Sequence, residues 1–232
     1  MSESPPSLRG HALSVAEGKG AGGLGIARIL SLDELNDAVA LLHAGEVVAF
    51  PTDTVYGLAA MPGDAEAIRR LFVAKRRPPE KAIPILLADT SDLLKVAANV
   101  STPARRLVER YWPGPLTVVF RRAPSFRGAS DPDAETVAVR VPALDAARDL
   151  IRRAGGVLAV TSANVSGQPA VATAAEVMQQ IGRRIPAIVD GGPAPGGGEA
   201  SVVDCSRDRP KLLREGALSR ADLERAALVR IF

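Results

Sequence analysis

The chain reads as an α/β protein: one domain built on a twisted, open, mixed sheet flanked by helices. Three observations predict this. Short aliphatic runs alternate with segments of helical periodicity bounded by capping residues. The strand-like runs are apolar throughout rather than alternating, the pattern of a sheet covered on both faces. Of 232 residues, 47% are hydrophobic but only 3% aromatic, so the core must be built from Val, Leu, Ile and Ala.

Residues 1–27 are rich in Ser, Pro and Gly, ending near Gly18-Lys19-Gly20-Ala21-Gly22-Gly23. So little apolar surface leaves the entropy of ordering unopposed, and a flexible tail is expected there, with the domain over 28–232. Ser31-Leu32-Asp33-Glu34 is a capping box. Leu32, Leu35, Val39 and Leu42 follow at helical spacing, and Gly45 ends that helix. Val47-Val48-Ala49-Phe50 predicts a short strand closed by Pro51. A helix is expected from Asp64 to Ala74 and a strand from Ile83 to Ala88, where Pro84 marks a strand start or an edge. Further helices are predicted near 91–99, 103–111, 144–154 and 174–182, the last opened by a second capping box, Thr173-Ala174-Ala175-Glu176. Further strands are predicted at 116–120, 137–141, 157–161, 188–190 and 202–204. The glycine- and proline-rich stretch from Gly191 to Gly198 reads as a loop of a length that is often functional, and it is the candidate for a loop that closes over the site. No linker divides the chain.

Charge distribution is more telling than the net value of +3. From Arg69 to Lys81 six cations face one acid, Glu80; from Arg105 to Arg127 six face Glu109. Such clusters attract anions, although a solvated helix face is the alternative for either. Cys205 is alone, so no intrachain disulfide is expected, and neither His11 nor His43 sits in a partner motif. These residues point away from a metal centre or a cysteine nucleophile. No apolar run reaches the ~18 residues of a membrane span. The N-terminus lacks the basic-then-apolar order of a secretory signal, so a cytoplasmic location is expected. The scarcity of aromatics argues against base-stacking platforms for single-stranded nucleic acid.

The candidate site lies where strands end, as ligands do in open α/β sheets. Pro51-Thr52-Asp53-Thr54-Val55-Tyr56-Gly57-Leu58 offers hydroxyls, a phenol and a glycine that lets a ligand approach; a polar turn is the alternative. Lys75, Arg77 and Lys81 supply a point charge, a planar fork and a third cation, the groups that grip phosphates. Arg140 stands within the apolar run Val137-Ala138-Val139-Arg140-Val141, where a guanidinium must meet an anion: a ligand, or an aspartate of the protein itself. Ser162, Asn164 and Ser166 follow the strand 157–161 and read as an anion cradle or as a plain turn. Neither a Walker motif nor a nucleophile elbow is present.

In their order these segments resemble the YrdC/TsaC-type threonylcarbamoyl-AMP synthases. The resemblance covers residues 30–218. It rests on the Pro51–Leu58 segment, Lys75-Arg76-Arg77-Pro78, Trp112-Pro113-Gly114-Pro115-Leu116-Thr117, Val139-Arg140-Val141-Pro142, Ser162-Ala163-Asn164-Val165-Ser166-Gly167, Ser201-Val202-Val203-Asp204 and Leu213-Arg214-Glu215-Gly216-Ala217. It implies a YrdC-like sheet around a concave basic cavity. It also implies synthesis of threonylcarbamoyl-adenylate and pyrophosphate from L-threonine, bicarbonate or CO2, and ATP with Mg2+. Partner proteins would then transfer the threonylcarbamoyl group to tRNA. By resemblance Lys75, Arg77, Ser162 and Asn164 form the characteristic tetrad. Arg77, Lys81, Thr136, Ser162 and Arg214 would contact ATP. Thr54, Arg140, Val160 (through its backbone) and Ser201 would hold threonine.

The sequence departs from the family pattern at Ala200-Ser201 (Ser-Thr in many relatives), at Ala170 (a serine in some) and at Ala82 (a common proline). With the chain ending soon after Leu218 there is no room for the extra C-terminal domain of longer members, which is the pattern of the short type. Two other functions remain: a non-catalytic module binding tRNA or double-stranded RNA, and a paralogue with a different carbamoyl-adenylate substrate. Salt-dependent RNA affinity without pyrophosphate release marks the first, and threonine binding separates the second.

Overall fold

The chain enters at one edge of an eleven-stranded sheet and leaves at the other. In order the elements are β1 (Arg28–Leu30), a 3-10 turn (Leu32–Glu34) continuing into α1 (Leu35–His43), β2 (Val48–Pro51), β3 (Tyr56–Ala60), α2 (Ala65–Lys75) and β4 (Ile85–Leu87). A second 3-10 turn (Thr90–Asp92) leads to α3 (Leu93–Val96), β5 (Ala97–Ala98), α4 (Thr102–Tyr111), β6 (Leu116–Arg122), β7 (Thr136–Arg140) and α5 (Asp145–Arg153). Then come β8 (Val157–Ser162), α6 (Ala174–Ile181), β9 (Ala187–Val189), β10 (Ser201–Asp204), β11 (Lys211–Arg214) and α7 (Arg220–Ala227). The computed structural model describes residues 25–78, 81–128, 134–196 and 198–232. Most of the expected tail (1–24) and Gly197 of the expected loop lie outside the described residues.

Local signals explain most boundaries. Glu34 Oε2 accepts the Ser31 backbone N–H at 2.8 Å, and Glu176 Oε2 accepts that of Thr173 at 2.9 Å, so both capping boxes close. Asp64 caps α2 by accepting from Glu66 and Ala67 N–H. Pro84 precedes β4, which lies between β8 and β7; it marks a strand start, not an edge.

Five elements, β5 among them, were not expected. β3 begins inside Pro51–Leu58, read as a candidate-site segment after a strand end or as a polar turn, and it pairs with β2 and β8 on either side. β1 and β11 are sheet-edge strands of three and four residues, too short for a periodic signal. α7 follows Ser219, whose hydroxyl accepts the Asp222 N–H, and it packs on α4. The helix expected over 91–99 shortens to one turn, because Ala97 and Ala98 leave it to pair with β6.

The strand order is β1-β9-β2-β3-β8-β4-β7-β6-β10-β11, with β5 on β6. Parallel pairs (β1/β9, β2/β9, β4/β7, β6/β10) are mixed with antiparallel ones, as expected. Each face has its own core. On one, α1 and α5 bury Leu42, Leu150 and Ile151 against Phe50, Leu86 and Leu158. On the other, α2, α4 and α6 bury Leu71, Leu107 and Val177 against strand residues including Leu58, Val118 and Val139. Both faces of the strands are therefore apolar, and the continuous aliphatic runs follow from that. The α1/α5 layer reaches β4 and β8. Beyond it the same face of β7, β6, β10 and β11 floors a cavity.

Candidate active site

Strand register builds the cavity floor. Leu86 pairs with Arg140, and Val118 with Val139, which sets Thr117 beside Arg140. Thr117 pairs with Val202, and Val202 with Arg214. One row thus runs Leu86, Arg140, Thr117, Val202, Arg214 across five strands, and all five residues line a cavity of about 440 Å³. Arg140 and Arg214 stand three strand steps apart, about 14 Å at the usual inter-strand spacing. Arg77, Ser162, Thr54 and Val160 complete the wall. The lining carries three guanidinium groups, Arg77, Arg140 and Arg214, against one carboxylate, Glu199, with no histidine or cysteine. A low-dielectric concavity of that charge suits an anion.

Arg140 is 7% exposed and fixed on three sides. Nε donates to Gly114 O at 2.9 Å and Nη1 to Thr54 Oγ1 at 2.9 Å, while Nη2 lies 2.7 Å from Asp53 Oδ2. Burial pulls its pKa down and the Asp53 charge opposes that shift. Of the two anions considered for this residue, the internal aspartate is the one in place. The turn carrying Asp53 is held by Thr52, whose Oγ1 donates to Val55 O at 2.6 Å and accepts from the Thr54 and Val55 N–H groups. Gly57 must lack a side chain, because a Cβ there would stand 2.7 Å from Val160 Cγ1.

The tetrad divides. Arg77 and Ser162 line the cavity; Lys75 and Asn164 are buried outside that lining. Lys75 is 1% exposed. Its Nζ donates to Ser162 O, to Asn164 O at 2.6 Å and to Asn164 Oδ1 at 3.4 Å, so the exit of β8 absorbs all three ammonium protons. Burial, and then the charge of Arg77, push its pKa down to about 7. Asn164 Nδ2 donates to Val165 O and Gln168 O, so this residue holds the turn. Arg76 ends α2 in the left-handed region (φ 51°), which swings Arg77 out of the helix. Arg77 then donates to Lys81 O and Ala82 O across the turn that follows.

Other expected contacts fall elsewhere. Lys81 is exposed and is not part of the lining; its backbone carbonyl serves Arg77. Thr136 lies on the same face of β7 as Ala138 and Arg140 but lines a second, larger cavity of about 1030 Å³ with Arg121 and Asp204. Ser201 is fully buried: its Oγ donates to Leu218 O and accepts the Gly216 and Leu218 N–H groups, so it pins the strand-to-helix turn and does not face the cavity. In that turn Gly216 passes so close to Glu199 O that a Cβ would lie 2.2 Å from it. The loop expected to close over the site is anchored at its start, where Tyr56 Oη donates to Gly192 O at 2.7 Å and Ala194 N–H to Ala172 O at 2.8 Å. Cys205 is buried and its thiol is pushed up to about 12 by desolvation, which removes it as a nucleophile.

Glu199 was missed in the sequence. It pairs with Arg214 at 2.7 Å, while Arg214 also donates through Nε and Nη2 to Ala200 O. Only the β10–β11 register brings Glu199 and Arg214 together; no local pattern signals it. Thr117 and Val202 were missed for the same reason.

The sequence profile of the Sua5/YciO/YrdC family, described as telomere recombination, matches residues 40–216. A threonylcarbamoyl-AMP synthase of Bacillus subtilis is 38% identical over 192 residues, 82% of this chain and 56% of that protein. One from Pyrococcus abyssi is 37% identical over 188 residues, 81% of this chain and 55% of that protein. The crystal structure of P. abyssi Sua5 complexed with L-threonine matches with a TM-score of 0.82 at 34% identity, over 89% of this chain and 63% of that one. The chain thus spans little more than half the length of these two relatives. No helix among the described residues is long and apolar enough to cross a membrane.

Proposed function

The chain belongs to the Sua5/YciO/YrdC family, and we propose that it joins L-threonine, bicarbonate or CO2, and ATP into threonylcarbamoyl-adenylate and pyrophosphate. The product would serve transferase partners that modify tRNA. One observation carries this reading: a single cavity holds the Arg140 and Arg214 guanidinium groups on one strand row, three strand steps apart with the Thr117 hydroxyl between them, and no histidine or cysteine in the lining. Such a site positions two anions; it does not form a covalent intermediate.

In this reading Arg140 and Thr54 hold threonine, with Val160 beside it, and Arg77, Ser162 and Arg214 hold the triphosphate. Thr136 and Lys81 would meet the nucleotide beyond the cavity mouth. The amine of threonine attacks CO2 and loses a proton to give a carbamate. A carbamate oxygen then attacks the α-phosphorus as the bond to the β-phosphate oxygen breaks. Both partners are anionic, so the arginines serve by fixed electrostatics and alignment. The only carboxylate on the wall is Glu199, and no cluster of three metal-ligating residues occurs among the described residues. That set suits a magnesium ion carried in on the triphosphate, whose charge it would help neutralise. Lys75 and Asn164 contribute by holding the Ser162 backbone.

A paralogue acting on another amine stays in play for one specific reason: Ala200 brings a methyl to the wall where many relatives bring a hydroxyl. Pyrophosphate release from ATP and bicarbonate, with and without L-threonine and with serine as control, tests both. Threonine-dependent release is the expected result. A folded, ATP-binding protein that ignores threonine would reject the synthase.

A further inference from the structure

Asp53 lies behind the cavity wall, between Thr52 and Thr54, and no motif-based role falls on it. Its side chain is 13% exposed and its Oδ2 stands 2.7 Å from Arg140 Nη2. The contact is a close ion pair without hydrogen-bond alignment: Arg140 Nη2 and Asp53 Oδ1 are both buried and both lack a hydrogen-bond partner. A buried polar atom left unpaired calls for an explanation: strain, a functional role or a bound water. The rest of the guanidinium is bonded through Nε to Gly114 O and through Nη1 to Thr54 Oγ1. The atoms left wanting partners are therefore a donor and an acceptor of opposite charge, side by side.

The hydroxyls sharpen this. Thr52 gives its proton to Val55 O, so its contact with Thr54 Oγ1 at 3.1 Å takes the Thr54 proton. Thr54 in turn accepts from Arg140. Its remaining capacity is a lone pair, so Thr54 presents an acceptor to the cavity. Donor character thus comes from Arg140 and acceptor character from the Asp53–Thr54 side. That combination is complementary to an α-amino acid zwitterion. A simple carboxylate would meet the guanidinium with Asp53 repelling it and with no cation to compensate.

We propose that Asp53 is a positioning and specificity-determining residue: it orients the Arg140 guanidinium and makes the pocket select an amino acid with its ammonium in place. This rests on the assignment of Arg140 to the threonine carboxylate. Asp53 does not line the cavity, so its effect passes through Arg140 and the local field.

The experiment compares wild type with Asp53→Asn, Asp53→Glu, Arg140→Gln and the Asp53→Asn/Arg140→Gln pair. Kinetics of pyrophosphate release are joined to binding of L-threonine and of its 2-hydroxy analogue, which lacks the amine. Asp53→Asn is expected to raise the threonine KM at least tenfold while the ATP KM stays within twofold, and Asp53→Glu to recover part of the loss. The wild-type preference for threonine over the hydroxy acid should shrink at least tenfold in Asp53→Asn. The double variant should be no worse than Arg140→Gln alone, the non-additive outcome of residues acting as one unit. Because the double variant removes both charges together, it keeps the test open if Asp53→Asn fails to fold.

Additive losses, a threonine KM within twofold of wild type in Asp53→Asn, or an unchanged preference would overturn the proposal while leaving the synthase standing. A wild type that binds no threonine would overturn both.

Discussion

Lys75 and Arg214 belong to the same proposed site, yet they sit in opposite surroundings. Lys75 is sealed under the exit of β8 with every proton engaged by protein oxygens. Arg214 stands on the β10–β11 rim, 44% exposed, tied to a glutamate that is itself 58% exposed. A buried cation has replaced its water by fixed acceptors, so its removal strands those acceptors without solvent. A rim cation retains water, and its ion pair is screened and weak. The first is therefore sealed from the cavity, whereas the second lines it while bonded to Glu199 and to Ala200 O.

The largest expected effect breaks the buried side. Lys75→Met should lower unfolding free energy by roughly 3 kcal/mol through unsatisfied carbonyls. A shifted urea midpoint would read this, and adenylate formation should fall with it. An unchanged midpoint with lost activity would return Lys75 to direct ligand contact. Next comes the rim: Arg214→Ala should leave stability within about 0.5 kcal/mol, as for an exposed pair. Its pyrophosphate release should fall roughly 10²-fold, the usual size of a lost electrostatic contact. A large fall in melting temperature instead would erase the contrast.

Glu199→Gln should act in the opposite sense. Without the competing carboxylate, the ATP KM should fall by about fivefold or less at low salt, and added salt should abolish the gain. A KM that rises would assign Glu199 to the nucleotide's metal. The smallest effect concerns alkaline pH. Burial pushes Tyr56 and Cys205 up to about 12, from 10.0 and 9.0. Both folded values exceed the unfolded ones, so this stability is fully present below about pH 9 and is lost as pH rises through 12. Chemical denaturation at pH 8 and pH 11 should show the decline. A thiol reagent at pH 8 should leave the native protein unlabelled and react on unfolding.

Much of this was legible before any coordinates. Ser31 with Glu34 and Thr173 with Glu176 announced two helix starts, because a capping box is a four-residue pattern. The aliphatic runs announced a two-faced sheet, because burial on both sides leaves few polar positions outside the cavity floor. Arg140 announced itself as a charge in a strand that had to meet an anion. These are local statements, set by spacing and residue type.

What remained hidden depended on register and on direction. Nothing near Lys75 says that the last turn of α2 buries its ammonium against β8, while Arg77, two residues on and past a left-handed Arg76, reaches the cavity. Ser201 and Glu199 differ by two residues, yet one is consumed by a backbone turn and the other lines the wall. Asp53 gains meaning only from Arg140, 87 positions away and brought to it by the sheet. Sequence alone therefore determined the class of fold, most helix starts and the cationic character of the candidate site, since these follow from periodicity, capping and fixed charge. Only tertiary structure decided which cations face the ligand, because side-chain access depends on how strands separated in sequence are brought into one row.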